Sequence, residues 1–178
     1  MNNYESRSEA LNKRFVFRNV LPQETDQVVM IEEICFPPHE ACTREMMEDR
    51  VRSVPDLFLV AVDSQTGKIA GFLTGIATNE EDFQDIFFED AMLHQPDGAN
   101  VMVLGLNVLP EYRGIGLARE IMEQYIKREK ANGRKALILT CLDEKIAMYE
   151  HMGYRDLGIS ASVWGQEQWH EMIYDLVP

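Results

Sequence analysis

Apolar and polar positions alternate along the chain in two periods, which predict a series of strands and helices. Alternation at every second residue, or a short uninterrupted apolar run, indicates a strand. Recurrence every third or fourth residue indicates an amphipathic helix. The predicted strands cover 14–21, 57–63, 68–78, 101–109, 135–141, 154–164 and 168–177, and the predicted helices cover 22–36, 44–54, 113–130 and 143–153.

Polar and turn-forming residues set the predicted ends of these elements. Thr43 and Asp143 are expected to cap helices, because their side chains can accept a hydrogen bond from a free helix N–H. The sequence "SQTG" at 64–67 predicts a hairpin between two strands. The polar residues 1–13 are expected to form a frayed, flexible tail. Between strands, residues 79–100 form an acidic excursion with some helical periodicity.

This order of elements predicts one mixed α/β sheet with helices on both faces. A chain of 178 residues suits a single domain, which we place at 14–178. With 46% hydrophobic residues, the chain can supply a core, so general disorder is excluded.

Charge narrows the classes of partner. The formal net charge of −13 argues against nucleic-acid binding and against docking on an anionic membrane. It suits a cationic ligand, although a soluble acidic surface explains it equally well. The segment 79–90 concentrates this charge in Glu80, Glu81, Asp82, Asp85, Glu89 and Asp90.

The cysteines and the first residues predict a cytoplasmic protein. Cys35, Cys42 and Cys141 are odd in number and lack zinc-like spacing, so we expect free thiols and no metal site. The start of the chain has no apolar signal region, and no stretch reaches the roughly 18 apolar residues of a membrane helix.

The stretch "RGIGLA" at 113–118 stands between an apolar strand and an amphipathic helix. A helix N-terminus presents free N–H groups and a partial positive charge, and glycines let an anion approach the backbone. Arg113 is placed to add a charge-assisted contact. The turn lacks the lysine of a P-loop and does not have the G-x-G-x-x-G spacing of a dinucleotide site. The sequence therefore predicts a phosphate-containing ligand other than ATP or a dinucleotide.

Two motifs together carry a family resemblance. The spacing Arg-x-x-Gly-x-Ala in "RGIGLA", followed by "ILTCLDEKIAMYEHMGY", resembles the coenzyme A signature and the next strand and helix of the GCN5-related N-acetyltransferase (GNAT) superfamily. Within it, "CFPPHEACT", "FEDAMLHQPDG" and "LGLNVLPEYRGIGLA" are similar to arylalkylamine (serotonin-type) N-acetyltransferases. The resemblance implies a mostly antiparallel sheet with one splayed parallel strand pair.

The resemblance also implies roles for individual residues. Tyr149 matches the tyrosine beside the sulfur of coenzyme A and is expected to protonate the leaving thiolate as general acid. The backbone of the strand before the turn is expected to pair with pantetheine, and the turn to hold pyrophosphate. The implied acetyl-CoA site comprises Leu106, Asn107, Val108, Arg113, Gly114, Ile115, Gly116, Leu117, Ala118 and Tyr149. The implied amine site comprises Phe36, Leu106 and Cys141.

One feature of these relatives is missing. Met102 and Leu104 occupy the positions of their two proton-relay histidines, and neither side chain can accept a proton. His39 and His94, Glu32 and Glu33, or a water-mediated route remain as alternatives for the base. Geometry must decide among them.

The resemblance implies an acetyl-CoA-dependent N-acetyltransferase acting on a small, arylalkylamine-like primary amine. Alternatives are a peptide or polyamine acetyltransferase of the same fold, or an inactive coenzyme A-binding sensor. Fold alone does not separate them, and the oligomeric state is left open.

Overall fold

The structure, a computed structural model, describes residues 3–177. Its helices are α1 (Asn3–Arg14), α2 (Thr25–Cys35), α3 (Arg44–Ser53), α4 (Ile86–Glu89), α5 (Leu117–Ala131) and α6 (Ile146–Glu150). Its strands are β1 (Phe15–Asn19), β2 (Phe58–Asp63), β3 (Ile69–Thr78), β4 (Asn100–Val108), β5 (Ala136–Cys141), β6 (Arg155–Ile159) and β7 (His170–Asp175). Short 3₁₀ turns stand between several of these elements. Within residues 3–177, no helix is both long and apolar enough to cross a membrane.

The strands form one sheet in the order β1-β2-β3-β4-β5-β7-β6. All neighbouring pairs are antiparallel except β4 and β5, which run parallel. That pairing ends at Met102 and Ile138, while the strands continue to Val108 and Cys141. The parallel strands therefore separate toward their carboxyl ends, which confirms the predicted splayed pair and mixed sheet.

A bulge lies in β4 where the two strands separate. Thr74 of β3 pairs with Gly105, and Gly75 pairs with Val103. Leu104 is therefore the extra residue of the bulge, and the ladder shifts there. A bulge bends its strand and re-aims the neighbouring side chains.

Helices cover both faces of the sheet, and β2 is therefore buried on both faces. Leu59 packs in the cluster that contains Ile121 and Tyr125 of α5. Its neighbour Phe58 points the other way, into the cluster that contains Ile31 of α2 and residues of α3. A strand buried on both faces reads as a continuous apolar run, as residues 57–63 do.

Residues 3–13, which were expected to be part of a frayed tail, form most of α1. Residues 1–2 of that expectation lie outside the described range. Leu11 is buried in the main core. The amide Nδ2 of Asn12 donates to Glu120 Oε1 of α5 at 2.7 Å. Few apolar residues mark this helix in the sequence, because its docking depends on contacts with a distant element.

Two other boundaries differ from prediction. Asp143 does not cap a helix: it begins a 3₁₀ turn without a side-chain cap, and α6 follows it. The strand predicted over 154–164 ends at Ile159, because Gly158 adopts a left-handed φ of +93° and the ladder is irregular there. The Thr43 cap is confirmed, since its side chain accepts from the Met46 N–H at 3.2 Å.

Candidate active site

A cleft of about 780 Å³ opens where β4 and β5 separate. Its wall takes residues from α2, β4, β5, α6 and the turn before α5. Among the predicted site residues, only Asn107 and Ile115 are absent from this wall. The predicted residues that line it are Phe36, Leu106, Val108, Arg113, Gly114, Gly116, Leu117, Ala118, Cys141 and Tyr149.

The glycine turn has the backbone shape expected of an anion cradle. Gly114 and Gly116 adopt φ values of +77° and +90°, a left-handed conformation that side chains disfavour. Helix α5 begins directly afterwards at Leu117, so its first N–H groups lack intrahelical partners. No atom lies within 4 Å of the position that a Cβ of Gly114 would take. The turn therefore fits a phosphate on its open side.

Arg113 has a different contact from the one expected. Its Nε donates to the Val108 carbonyl at 2.9 Å, and its Nη2 lies 3.7 Å from the Cys35 sulfur. The guanidinium thus ties the turn to the end of β4 and to α2. The Val108 carbonyl is accordingly already occupied.

Arg7 of α1 approaches the turn from a segment outside the predicted domain. A Cβ on Gly116 would stand 3.1 Å from Arg7 Cδ. The side chain of Arg7 is exposed. No pattern in the sequence indicated this approach, because residues 1–13 were expected to be a tail.

Tyr149 stands on α6 at the cleft, half-buried. Its ring packs edge-on against Tyr154 with centroids 5.6 Å apart. Burial, with a smaller effect of Cys141, raises the pKa of the Tyr149 phenol above its ordinary value. The phenol is therefore protonated at neutral pH and suited to donate a proton.

Cys141, at the end of β5, is buried, and its sulfur lies 3.3 Å from that of Met172. Burial first, and then the charges of Asp156 and Asp143, raise the pKa of the Cys141 thiol to about 12. The thiol is therefore neutral at physiological pH and is not an activated nucleophile.

Aromatic side chains form a second part of the cleft wall. Phe88 and Trp164 stack at a tilt with centroids 4.7 Å apart. The Trp164 indole N–H donates to the Glu40 carbonyl at 2.8 Å, and the Trp169 indole N–H donates to the Trp164 carbonyl at 2.8 Å. Phe36 lines the same cleft. Phe88, Trp164 and Trp169 were missed at the sequence level, because Phe88 of α4 lies far along the chain from the two tryptophans.

Carboxylates accompany these rings. Glu32, Glu40 and Glu144 line the cleft. Glu32 is only 4% exposed. Burial raises the pKa of the Glu40 carboxyl. The charge of His39 lowers this pKa, and the charge of Glu167 raises it further.

The structure separates the candidates for the base. Met102 and Leu104 are buried and apolar, as the sequence implied. His39 and His94 do not line the cleft: His39 contacts Glu167, and the ring of His94 accepts from the Ala77 N–H. Glu33 is exposed and also outside the wall. Glu32 is the candidate that remains in the cleft.

One group in the described part of the chain approaches metal-ligand spacing. The ligand atoms of His39, Glu40 and Glu167 lie within 4.8 Å of one another. His39 Nε2 is 3.2 Å from Glu167 Oε1 and 3.5 Å from Glu40 Oε1, so the three side chains form ion pairs when the histidine is protonated. The expectation of no metal stays a prediction.

Comparison with known proteins shows the family. Residues 25–154 match the Acetyltransferase (GNAT) family, and the chain belongs to that family. Membership confirms the superfamily resemblance and the fold predicted from it, and an acyl-CoA cosubstrate is the ligand that the family name implies. The arylalkylamine-type subfamily is a finer assignment that this match leaves open.

Curated relatives are distant and longer than this chain. It is 25% identical over 118 residues to "Probable hydrolase YhcX" of Bacillus subtilis, which covers 62% of this chain and 23% of that protein. It is 24% identical over 116 residues to "Uncharacterized N-acetyltransferase YkwB" of the same organism, and the match covers 59% of this chain and 50% of that protein. The chain thus matches half or less of the length of these relatives.

Solved structures share the fold across nearly the whole chain. The loading GNATL domain of CurA from Lyngbya majuscula superposes with a TM-score of 0.79 at 14% identity, covering 91% of this chain and 98% of that one. The GphF GNAT-like decarboxylase, solved with isobutyryl-CoA, superposes with a TM-score of 0.75 at 22% identity, covering 91% of this chain and 100% of that one. A phosphinothricin acetyltransferase from Sinorhizobium meliloti, solved with acetyl-CoA, superposes with a TM-score of 0.65 at 15% identity, covering 91% of this chain and 88% of that one. At these identities the likeness concerns the fold.

Proposed function

We propose that this protein transfers an acetyl group from acetyl-CoA to the primary amine of a small, arylalkylamine-like substrate. The observation that carries the proposal is the composition of a single cleft. It contains a glycine turn at a helix N-terminus, suited to phosphate, and a wall of aromatic rings with carboxylates. The first feature suits coenzyme A, and the second suits an arylalkylamine, whose aliphatic amine carries a positive charge in solution.

The acetyl-pantetheine arm would enter between the separated ends of β4 and β5. Backbone N–H groups of β4 beyond the bulge, around Leu106, would stabilise the oxyanion of the tetrahedral intermediate. Tyr149 would protonate the departing thiolate, which its protonated phenol is suited to do. Holding both substrates in one cleft supplies part of the rate enhancement. Cys141 contributes packing, because its thiol is neutral.

Three aspects support a small acceptor over a macromolecular one. The cleft is of ligand size, four aromatic residues line it in addition to Tyr112 and Tyr149, and carboxylates share its wall. These four aromatic residues are Phe36, Phe88, Trp164 and Trp169. A polyamine would use the carboxylates but leave the rings without a partner.

The test is release of free thiol from acetyl-CoA across a panel of arylalkylamines, polyamines and peptides, with acetylated products identified by mass spectrometry. We expect turnover with arylalkylamines above that with the other classes. Preference for peptides or polyamines would replace the proposed acceptor. Tight coenzyme binding without turnover of any amine would favour an inactive sensor.

A further inference from the structure

The bulge in β4 leaves a gap bordered by two acceptor oxygens. Gly105 has no side chain and lines the cleft. A Cβ at this position would stand 3.2 Å from Asn107 Oδ1 and 4.0 Å from Glu32 Oε2. The missing side chain therefore leaves room for one small polar atom beside both oxygens.

The polar atoms around this gap are not all satisfied. Asn107 is 1% exposed, and its Oδ1 has no hydrogen-bond partner. Thr74 lies opposite Gly105 on β3, and its methyl carbon Cγ2 is the atom that faces the gap, 3.9 Å from the position of that Cβ. Buried polar groups are nearly always hydrogen-bonded, because leaving one unpaired costs free energy. The unpaired Asn107 Oδ1 beside the gap points to a polar ligand that completes it.

Glu32 is held in a fixed position at the same gap. Its Oε1 accepts from the Cys42 N–H at 3.0 Å, and its Oε2 accepts from Asn107 Nδ2 at 2.7 Å. Each carboxylate oxygen can accept two hydrogen bonds, so acceptor capacity remains on both. The Asn107 amide is orientated by the same contact, which leaves its Oδ1 to face another donor.

We propose that Glu32 and Asn107 form the binding site for the amine nitrogen. Glu32 accepts a proton from the ammonium group, and the lone pair of the nitrogen is then free to react. This inference rests on the proposed acetylation of an amine and deepens it. A protonated amine has donors for both oxygens, whereas an anion or an ester group would leave them unpaired or repelled. The carboxylate reaches the site from α2 and so replaces a base that β4 lacks.

The groups around Glu32 keep their charge over the pH range of interest. Cys35 on α2 and Cys42 on the next loop are its titratable neighbours, with Arg113 beyond Cys35 and Arg50 of α3 beyond Cys42. Burial raises the pKa of the Cys42 thiol to about 11 and that of the Cys35 thiol above its usual value. The strands β3 and β4 carry no titratable side chain. A pH effect near neutrality that depends on this site therefore does not come from these thiols or from β3 and β4.

The ammonium gives one proton to the Glu32 carboxylate, and its lone pair forms a bond to the thioester carbonyl carbon. The C=O electron pair moves to oxygen and then returns as the C–S bond breaks, and the thiolate takes the proton of Tyr149. The second nitrogen proton passes through water to the Tyr149 phenolate, and Glu32 releases its proton to solvent. The ammonium and acetyl-CoA thus give an amide, free coenzyme A and one proton.

The first test compares Glu32→Gln with Glu33→Gln, its exposed neighbour on the same helix. For Glu32→Gln we expect kcat/KM for an arylalkylamine such as tryptamine to fall about 100-fold at pH 7, within the usual range for a general base. Its kcat/KM should then rise about tenfold per pH unit toward the amine pKa near 10, because only free amine reacts. Glu33→Gln should follow the wild type, and the Kd for acetyl-CoA should stay within about twofold in both.

A second variant does not remove the carboxylate. Gly105→Ala places a Cβ in the gap, so we expect it to raise the KM for the amine by about tenfold or more while the Kd for acetyl-CoA changes little. This variant decides the question if Glu32→Gln fails to fold, as judged by circular dichroism.

The outcomes separate the inference from the function on which it rests. Wild-type protein that acetylates no amine would overturn both. Wild-type turnover, with Glu32→Gln matching Glu33→Gln in rate and pH profile, would overturn the inference alone. An unchanged amine KM in Gly105→Ala would likewise contradict it, since the gap would then hold no part of the substrate.

Discussion

Tyr149 and Cys141 lie in one cleft but have different chemical uses. Both are polar groups with a pKa raised mainly by burial. For the phenol, the shift favours the protonated form that an acid needs. For the thiol, the same shift removes the thiolate that a nucleophile needs. The same physical cause thus supports one role and excludes the other.

Replacing Tyr149 by Phe tests the acid. We expect kcat to fall about 100-fold, because the thiolate then leaves without a proton donor, while the Kd for acetyl-CoA stays within about threefold. Steady-state kinetics and calorimetry measure the two effects. Equal kcat in both proteins would reject the role of the phenol.

The raised pKa of Tyr149 also fixes the sign of a pH effect. An acid acts while protonated, so its contribution is lost only as pH rises through its pKa, which lies above the ordinary value of about 10. We therefore expect kcat at saturating amine to show no alkaline decline up to pH 10. A decline centred near pH 8 in the wild type that is absent from Tyr149→Phe would contradict this assignment.

At the level of elements, α1 brings a cation to the phosphate turn. Arg7 lies beside Gly116, and α1 is fixed to α5 by Leu11 and by the contact of Asn12 with Glu120. The family match begins at residue 25 and does not include this helix.

For the Arg7→Ala variant we predict weaker coenzyme binding. Loss of one exposed phosphate contact should raise the Kd for coenzyme A about threefold to tenfold, and the difference should shrink at high salt. Lys13→Ala is the matched control, because it removes one positive charge from the same helix at an exposed position. The same Kd change in both variants would show that only net charge matters.

The Thr43 cap gives a prediction about stability. Thr43→Ala removes the acceptor for the Met46 N–H, so we expect the free energy of unfolding to fall by about 1 kcal/mol. Urea denaturation measures it, and Thr43→Ser, which keeps the hydroxyl, should recover most of the loss. A Ser variant as unstable as the Ala variant would indicate that the methyl group, and not the cap, is responsible.

The sequence was most informative where local chemistry decides the structure. The hairpin at 64–67, the cap at Thr43 and the turn at 113–116 follow from short-range geometry, and the structure has them where they were predicted. It was least informative for α1 and for the loop around Trp164. Those segments are positioned by contacts with distant elements, which no local pattern records.

The candidate site likewise contains some residues that local sequence motifs predict and others that only the fold brings together. The glycine turn and Tyr149 belong to motifs that are contiguous in sequence. Glu32, Asn107 and Gly105 meet only because α2 packs on the bulged strand, so their juxtaposition needed the fold. The missing histidines at 102 and 104 signalled that a base had to come from elsewhere, but not from which element.

For the whole molecule, the net charge of −13 bears on substrate capture. If the acidic surface, including residues 79–90, attracts a cationic amine, screening should weaken that attraction. We expect the KM for the amine to rise about twofold to fivefold between low ionic strength and about 0.5 M salt. A KM that does not change with salt would mean that the charge serves solubility alone.

Calorimetric titration of acetyl-CoA tests most directly whether the cleft between β4 and β5 is a coenzyme A site. We predict one site per chain in the wild type. In Gly116→Arg, a branched side chain would occupy a left-handed position against Arg7 and fill the turn. A folded Gly116→Arg protein should bind acetyl-CoA at least about tenfold more weakly. No binding by the wild type, or undiminished binding by folded Gly116→Arg, would contradict the account.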